Sequence, residues 1–182
     1  MLFRSYRRRP GDPELSLDEI KALIANAPNH AAEREEIRTL LIDLQRVGVQ
    51  LALAVPIKPG AAAEWDPAAR TIRINPDSVG KGTVDFLRLL THESIHVAQS
   101  CRAGQLRSTP TLLGLPTEMP AELERTVSQA IDTNTSSWEL QLEREAYANQ
   151  HRGELGARLI RRYCPPLKPG AGPVLAGVWG GR

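Results

Sequence analysis

The segment Leu89–Cys101 reads LLTHESIHVAQSC, and it sets two imidazoles and a carboxylate, His92, Glu93 and His96, in the most apolar run of the chain. Phe86, Leu87, Leu90, Ile95, Val97 and Ala98 surround them, and the periodicity predicts a helix from about Thr83 to Ser100. A polar group taken out of water without a partner costs about 1–3 kcal/mol. Positions 92 and 96 of an α-helix lie about 40° apart in direction and about 6 Å apart along the axis, so both imidazoles reach one ion. Glu93 projects to the flank, where its carboxylate can hold a water beside that ion without filling a coordination position. The alternative is a pair of core histidines satisfied by ordinary hydrogen bonds. A divalent cation removes the burial cost of all three groups at once, and that is the reading adopted.

With 182 residues the chain is long enough for one domain with a core. A net charge of +2 does not call for a nucleic-acid partner, and none is expected. The basic run Arg7–Arg9 ends at Pro10-Gly11 and reads as part of a solvated tail, residues 1–14. No apolar run has the length of a signal peptide or of a membrane span, so the expected location is the cytoplasm, away from membranes. Cytoplasmic thiols stay reduced, and Cys101 and Cys164 are therefore expected to be free.

The expected domain covers residues 15–164. Ser16 and Glu19 match a capping box for a first helix, and a second runs from Ala31 to Arg46 with Gly48 as its stop. Val49–Ile57 has strand composition, and Ala63–Asn75 reads as a hairpin turning at Asp66-Pro67. After the HESIH helix, the stretch from Ser108 to Pro120 is longer than most connections, which suits either a binding or lid role or a plain surface excursion. A helix is expected from about Ala121 to Ile131. A last one is expected from about Ser137 to Tyr163, bent at Gly153 and Gly156, followed by a Pro/Gly-rich tail, residues 165–182. The class is α+β, a small antiparallel sheet packed on an active-site helix and a downstream metal-ligand helix, with extra N-terminal helices.

Zinc needs a third protein ligand. The extended pattern H-E-x-x-H-x-x-G-x-x-H would put it at position 102, but Gln99 and Arg102 stand where that pattern needs Gly and His. The candidates further on are Glu143, Glu145 and His151. On a helical wheel Trp138, Leu142, Glu145 and Asn149 fall within about 60° of one another, the spacing of an inward stripe, while Glu143 lies about 160° from Glu145. Glu145 is the carboxylate on that face and the expected ligand.

HESIH on one helix, followed about fifty residues later by EREAYAN on another, resembles the zincin metallopeptidases of the gluzincin type, and AEWDPAARTIRINP before the first helix looks like the small sheet of compact minigluzincins. The resemblance covers about Ala63–Asn149. It implies that His92, His96 and Glu145 bind one zinc ion per chain, that Glu93 is the general base, and that the edge strand lines the cleft. It also implies that Asn149, where the family often has Asp, orients a zinc-binding histidine. No motif identifies a residue for the transition state: Tyr147, His151 and Tyr163 are the nearest types, and the first two point off the inward stripe.

The function expected is a zinc-dependent metallopeptidase, hydrolysing peptide bonds of a peptide or protein substrate with a zinc-activated water. A zinc-stabilised, non-catalytic binding or regulatory module is the alternative, although structural zinc needs no Glu93 and usually takes four protein ligands. A DNA-associated peptidase with His151 as third ligand is a third reading. The oligomeric state is open.

Overall fold

The computed structural model describes residues 29–130 and 136–167. The expected Ser16–Glu19 helix, the basic tail 1–14 and all but the first residues of the C-terminal tail lie outside them. Helix α1, Ala31–Arg46, forms as expected and buries Leu40 and Leu44. Gly48 follows it at φ 89°, a conformation that costs glycine least, and the N–H groups of Gly48 and Val49 return to the carbonyls of Gln45 and Leu44.

Three strands follow: β1 (Gln50–Leu53), β2 (Ala63–Asp66) and β3 (Thr71–Ile74). The β2–β3 pair is the expected antiparallel hairpin, with Asp66 opposite Thr71 and the Ala69 N–H donating to Asp66 Oδ1 at 3.0 Å. The sheet as a whole is mixed and not antiparallel. Its order is β1-β3-β2, and β1 runs parallel to β3. The chain crosses from β1 past the place of β3 to β2, and the tight hairpin then returns β3 to the centre. Pairing of the Val49–Ile57 segment ends with the Ala54 N–H on Ile74 O; Pro56 has no N–H, and those of Ile57 and Lys58 go to Glu64 Oε2. That leaves β2 as an edge strand.

A short helix, α2 (Pro76–Val79), leads to α3, Thr83–Arg102. From Leu90 to Cys101 every residue of α3 except His96 is buried, and even His96 is largely so. A helix enclosed this way needs cover on all sides. Helix α1, strand β2 and the helices α5 (Ser137–Asn149) and α6 (Gly153–Tyr163) supply it, while α4 (Ala121–Ala130) packs on α5. Ser136 caps α5 in a reciprocal box with Glu139.

The single last helix expected from Ser137 to Tyr163 is two, broken at residues 150–152. Gly153 and Gly156 are sites of close approach rather than bends. A Cβ on Gly153 would collide with Glu36 Oε2 and come within 2.7 Å of Leu87 Cδ2, and one on Gly156 would lie 3.0 Å from Leu40. These contacts press α6 against α1 and α3, with Gly153 beside Leu87 and Gly156 beside Ser94. Helices α6 and α3 therefore run in the same direction, and their C-terminal ends meet.

That meeting overturns the expectation of free thiols: Cys101 and Cys164 form a buried disulfide with Cα atoms 5.1 Å apart. Disulfides are common in oxidising compartments and rare in the cytosol. Among the described residues no helix is long and apolar enough to cross a membrane.

The disulfide closes a sequence separation of 63 residues, for which chain entropy gives a stabilisation of about 4 kcal/mol. Reduction, or Cys164→Ser, should lower the melting temperature by roughly 10 °C. Denatured, unreduced protein should show no reactive thiol. Two reactive thiols, or a melting curve indifferent to reductant, would contradict the pairing.

Candidate metal centre

Helix α3 presents His92 and His96 one turn apart to a cleft of about 860 Å³. Facing them across the cleft is α5, with Glu139, Glu143 and Tyr147, a stripe of spacing four, and Gln150 just past its end. Residues 58–65, including most of β2, form the third wall. The loop before β2 is held there by the two N–H groups that Glu64 accepts.

The structure brings Glu143, and not Glu145, to the histidines. His92 Nε2 and His96 Nε2 lie 3.4 and 3.6 Å from Glu143 Oε2, and 3.2 Å from each other. Ligands held tetrahedrally about 2.0–2.1 Å from one ion are roughly 3.3 Å apart, so the three atoms have the spacing of three corners of a zinc site. Among the described residues these are the one group of three with convergent ligand atoms. Their chemistry, two imidazoles and one carboxylate, suits zinc without excluding other divalent ions.

Electrostatics bind the cluster together. Burial pushes the Glu143 carboxyl up, but the two imidazoles outweigh it and hold it well below the usual carboxylate range. Burial works against a charged His96, yet Glu143, by charge and hydrogen bond, and Glu93 hold its pKa up to about 9. Glu93 is buried and pushed upward by that burial, with His92 and His96 pulling the other way and the Trp65 N–H also favouring the carboxylate. Lys58 Nζ stands 3.9 Å from the second oxygen of Glu143.

Glu145 is 1% exposed, so the wheel found a buried face correctly. That face serves another purpose. Glu145 Oε2 accepts the Leu113 N–H at 2.8 Å and Gln99 Nε2 at 2.9 Å, and Oε1 accepts the Leu115 N–H at 2.7 Å. The carboxylate thus satisfies backbone donors of the 108–120 stretch, which is a fixed strap and not a free lid. Asn149 is likewise corrected: its Nδ2 donates to Pro116 O at 2.7 Å and to Glu145 O, and its Oδ1 accepts from Arg152, so it orients no histidine. Trp138 is exposed. His151 is exposed on the connection between α5 and α6, and Tyr163 packs with Arg102 and Arg162, so neither joins the cluster.

Glu143 and Tyr147, candidates that the wheel sets aside as lying off the inward stripe, are the ones that line the cleft, and the place of Gln99 in the site is missed altogether. Tyr147 sets its ring edge-on to His92, with centroids 4.5 Å apart, and burial, with Glu143 and Glu93, raises its pKa. Positions 139, 143 and 147 form a second polar stripe on α5, which would mark the cleft face once both sides of that helix are known to be covered. Gln99 carries no such signal. No protein-family model, curated protein or solved structure matches the chain.

Glu143→Ala should weaken zinc binding by more than the roughly 10–100-fold typical of changes outside the ligand set. Glu145→Ala should instead lower stability by several kcal/mol, since it strands two buried donors, Gln99 and the Leu113 N–H, at about 1–3 kcal/mol each, and the half-buried Leu115 N–H besides. Chelator competition and urea denaturation of both variants separate the two roles; loss of metal from Glu145→Ala with unchanged stability would reverse the assignment.

Because a cation must displace the His96 proton, zinc affinity should rise about tenfold per pH unit up to about pH 9 and then level off. The sign for the metal-free fold is opposite: a raised histidine pKa adds stability below pH 6.5 that is lost as pH rises through about 9. Titrations in zinc and in chelator across this range check both slopes.

Proposed function

We propose that this chain is a zinc-dependent metallopeptidase of the gluzincin kind, with His92, His96 and Glu143 as its metal ligands and Glu93 as its general base. The observation that carries this reading is the convergence of the three ligand atoms, at zinc-site spacing, on an open cleft that Glu93 also lines. Zinc held there would act as a Lewis acid and bring the pKa of water near neutrality.

The chain's own groups perform the rest. Glu93 takes the proton of the attacking water and returns it to the leaving nitrogen, a role suited to a carboxylate poised between burial and two imidazoles. Tyr147 keeps its proton because its pKa is raised, so its hydroxyl is available to donate to the oxygen that gains charge on the substrate carbonyl. Edge strand β2 lines the cleft, where an extended peptide could lie along it. An open cleft and three ligands among the described residues favour turnover over a purely structural ion, which usually takes four.

Glu93→Gln should keep zinc and fold while losing about 10²–10⁴ or more in rate on unstructured peptides. Tyr147→Phe should also keep zinc and lose roughly 10²–10³ in kcat, the usual loss for one donor to a developing oxyanion. A wild-type protein that is fully zinc-loaded but indistinguishable from Glu93→Gln across a broad peptide library would transfer the assignment to a zinc-stabilised binding module.

A further inference from the structure

His96 and His92 are held by different means. His92 Nδ1 is buried with no hydrogen-bond partner, and ring contacts with Tyr147 and His96 flank the imidazole. His96 Nδ1 lies 2.8 Å from Gln99 Oε1, three residues on along α3. An amide oxygen only accepts, so His96 Nδ1 must carry the proton of this bond.

The amide has one available orientation. Gln99 Nε2 is 2.9 Å from Glu145 Oε2 and 3.2 Å from the Leu142 carbonyl oxygen. A carbonyl only accepts, and so does an ionised carboxylate, so a flipped amide would set its oxygen against both while turning its NH2 towards His96. Glu145 is itself fixed by the Leu113 and Leu115 N–H groups. The chain of constraint runs from the strap through Glu145 to Gln99 and then to the imidazole. Gln99 is fully buried, so water does not substitute for any of these partners.

We propose that Gln99 is the positioning residue of the metal centre, and that Glu145, through it, fixes His96 as the Nδ1–H tautomer with the Nε2 lone pair directed to the cation. The role rests on the metal reading proposed above. It gives the carboxylate at position 145 a part in metal binding without ligation. It also joins the strap, whose Pro110 lines the cleft, to the metal ligand, so that one buried network sets both.

The test uses the full chain with ¹⁵N-labelled histidine, studied by NMR with and without one equivalent of zinc. The expected wild-type spectrum shows a His96 Nδ1–H proton protected from exchange in both states, with zinc arriving at Nε2. Gln99→Met, similar in length but with no acceptor, should lose that protection and bind zinc about 10–100-fold more weakly in chelator competition, with its circular dichroism unchanged. A wild-type His96 that binds zinc through Nδ1, or whose Nδ1–H shows no protection from exchange, overturns the proposal without recourse to the variant's fold or to activity. So does a folded Gln99→Met with wild-type zinc affinity. A protein with the protected Nδ1–H that takes up no zinc overturns the metal role together with the metallopeptidase reading, and is told apart from failure of the relay by the intact hydrogen bond.

Discussion

The enclosure of α3 is the constraint from which the rest of the structure follows. A helix covered by α1, β2, α5 and α6 cannot leave polar groups to water, so its polar side chains draw neighbours into place. Ser94 returns its hydroxyl proton to Leu90 O within the helix, Ser100 receives the indole N–H of Trp65 from the edge strand, and Gln99 takes up Glu145 and Leu142 from α5. The Trp65 bond ties β2, and the two Gln99 bonds tie α5, to the helix that carries the histidines. The apolar side chains supply most of the burial, but these few polar contacts determine where β2 and α5 stand.

Much of this was legible in the sequence, for reasons tied to particular residues. The periodicity around HESIH identified the helix because a buried helix needs apolar residues on every face, and the i, i+4 histidines are a local property that survives any tertiary arrangement. Gly48 and the Asp66-Pro67 turn were equally local. What failed were the statements that depend on which neighbour covers which face. The wheel for α5 located its buried stripe correctly at Leu142, Glu145 and Asn149, but burial does not say against what. Glu145 and Asn149 of that stripe hold the strap and Gln99, while the metal cleft takes Leu142 and the flank carrying Glu143 and Tyr147.

The same distinction explains Gly153, Gly156 and the cysteines. In sequence a glycine that bends a helix and a glycine that admits another helix look alike; only the approach of Glu36, Leu87 and Leu40 tells them apart. Once the chain breaks at residues 150–152, α6 lies along α3 in the same direction, and a separation of 63 positions becomes a Cα distance of 5.1 Å. The mixed sheet has a similar origin: strand composition named β1 and β3, but the crossover that makes them parallel neighbours is a property of the whole chain.

The placement of Glu143 at the margin of the core, rather than its centre, has a chemical logic. A ligand for an ion that acts on substrate must reach the cleft, whereas a carboxylate sealed in the core can only serve groups sealed in with it. The Glu143 side chain keeps about a quarter of its surface, 23%, accessible, yet lies close enough to both imidazoles to stay ionised against its burial. Glu145, 1% exposed, is ringed by three donors and has no need of a cation. Two carboxylates two positions apart on one helix thus divide the work. One faces the imidazoles with a charge that a cation can share, and the other uses its charge to hold the Gln99 amide and the strap in place.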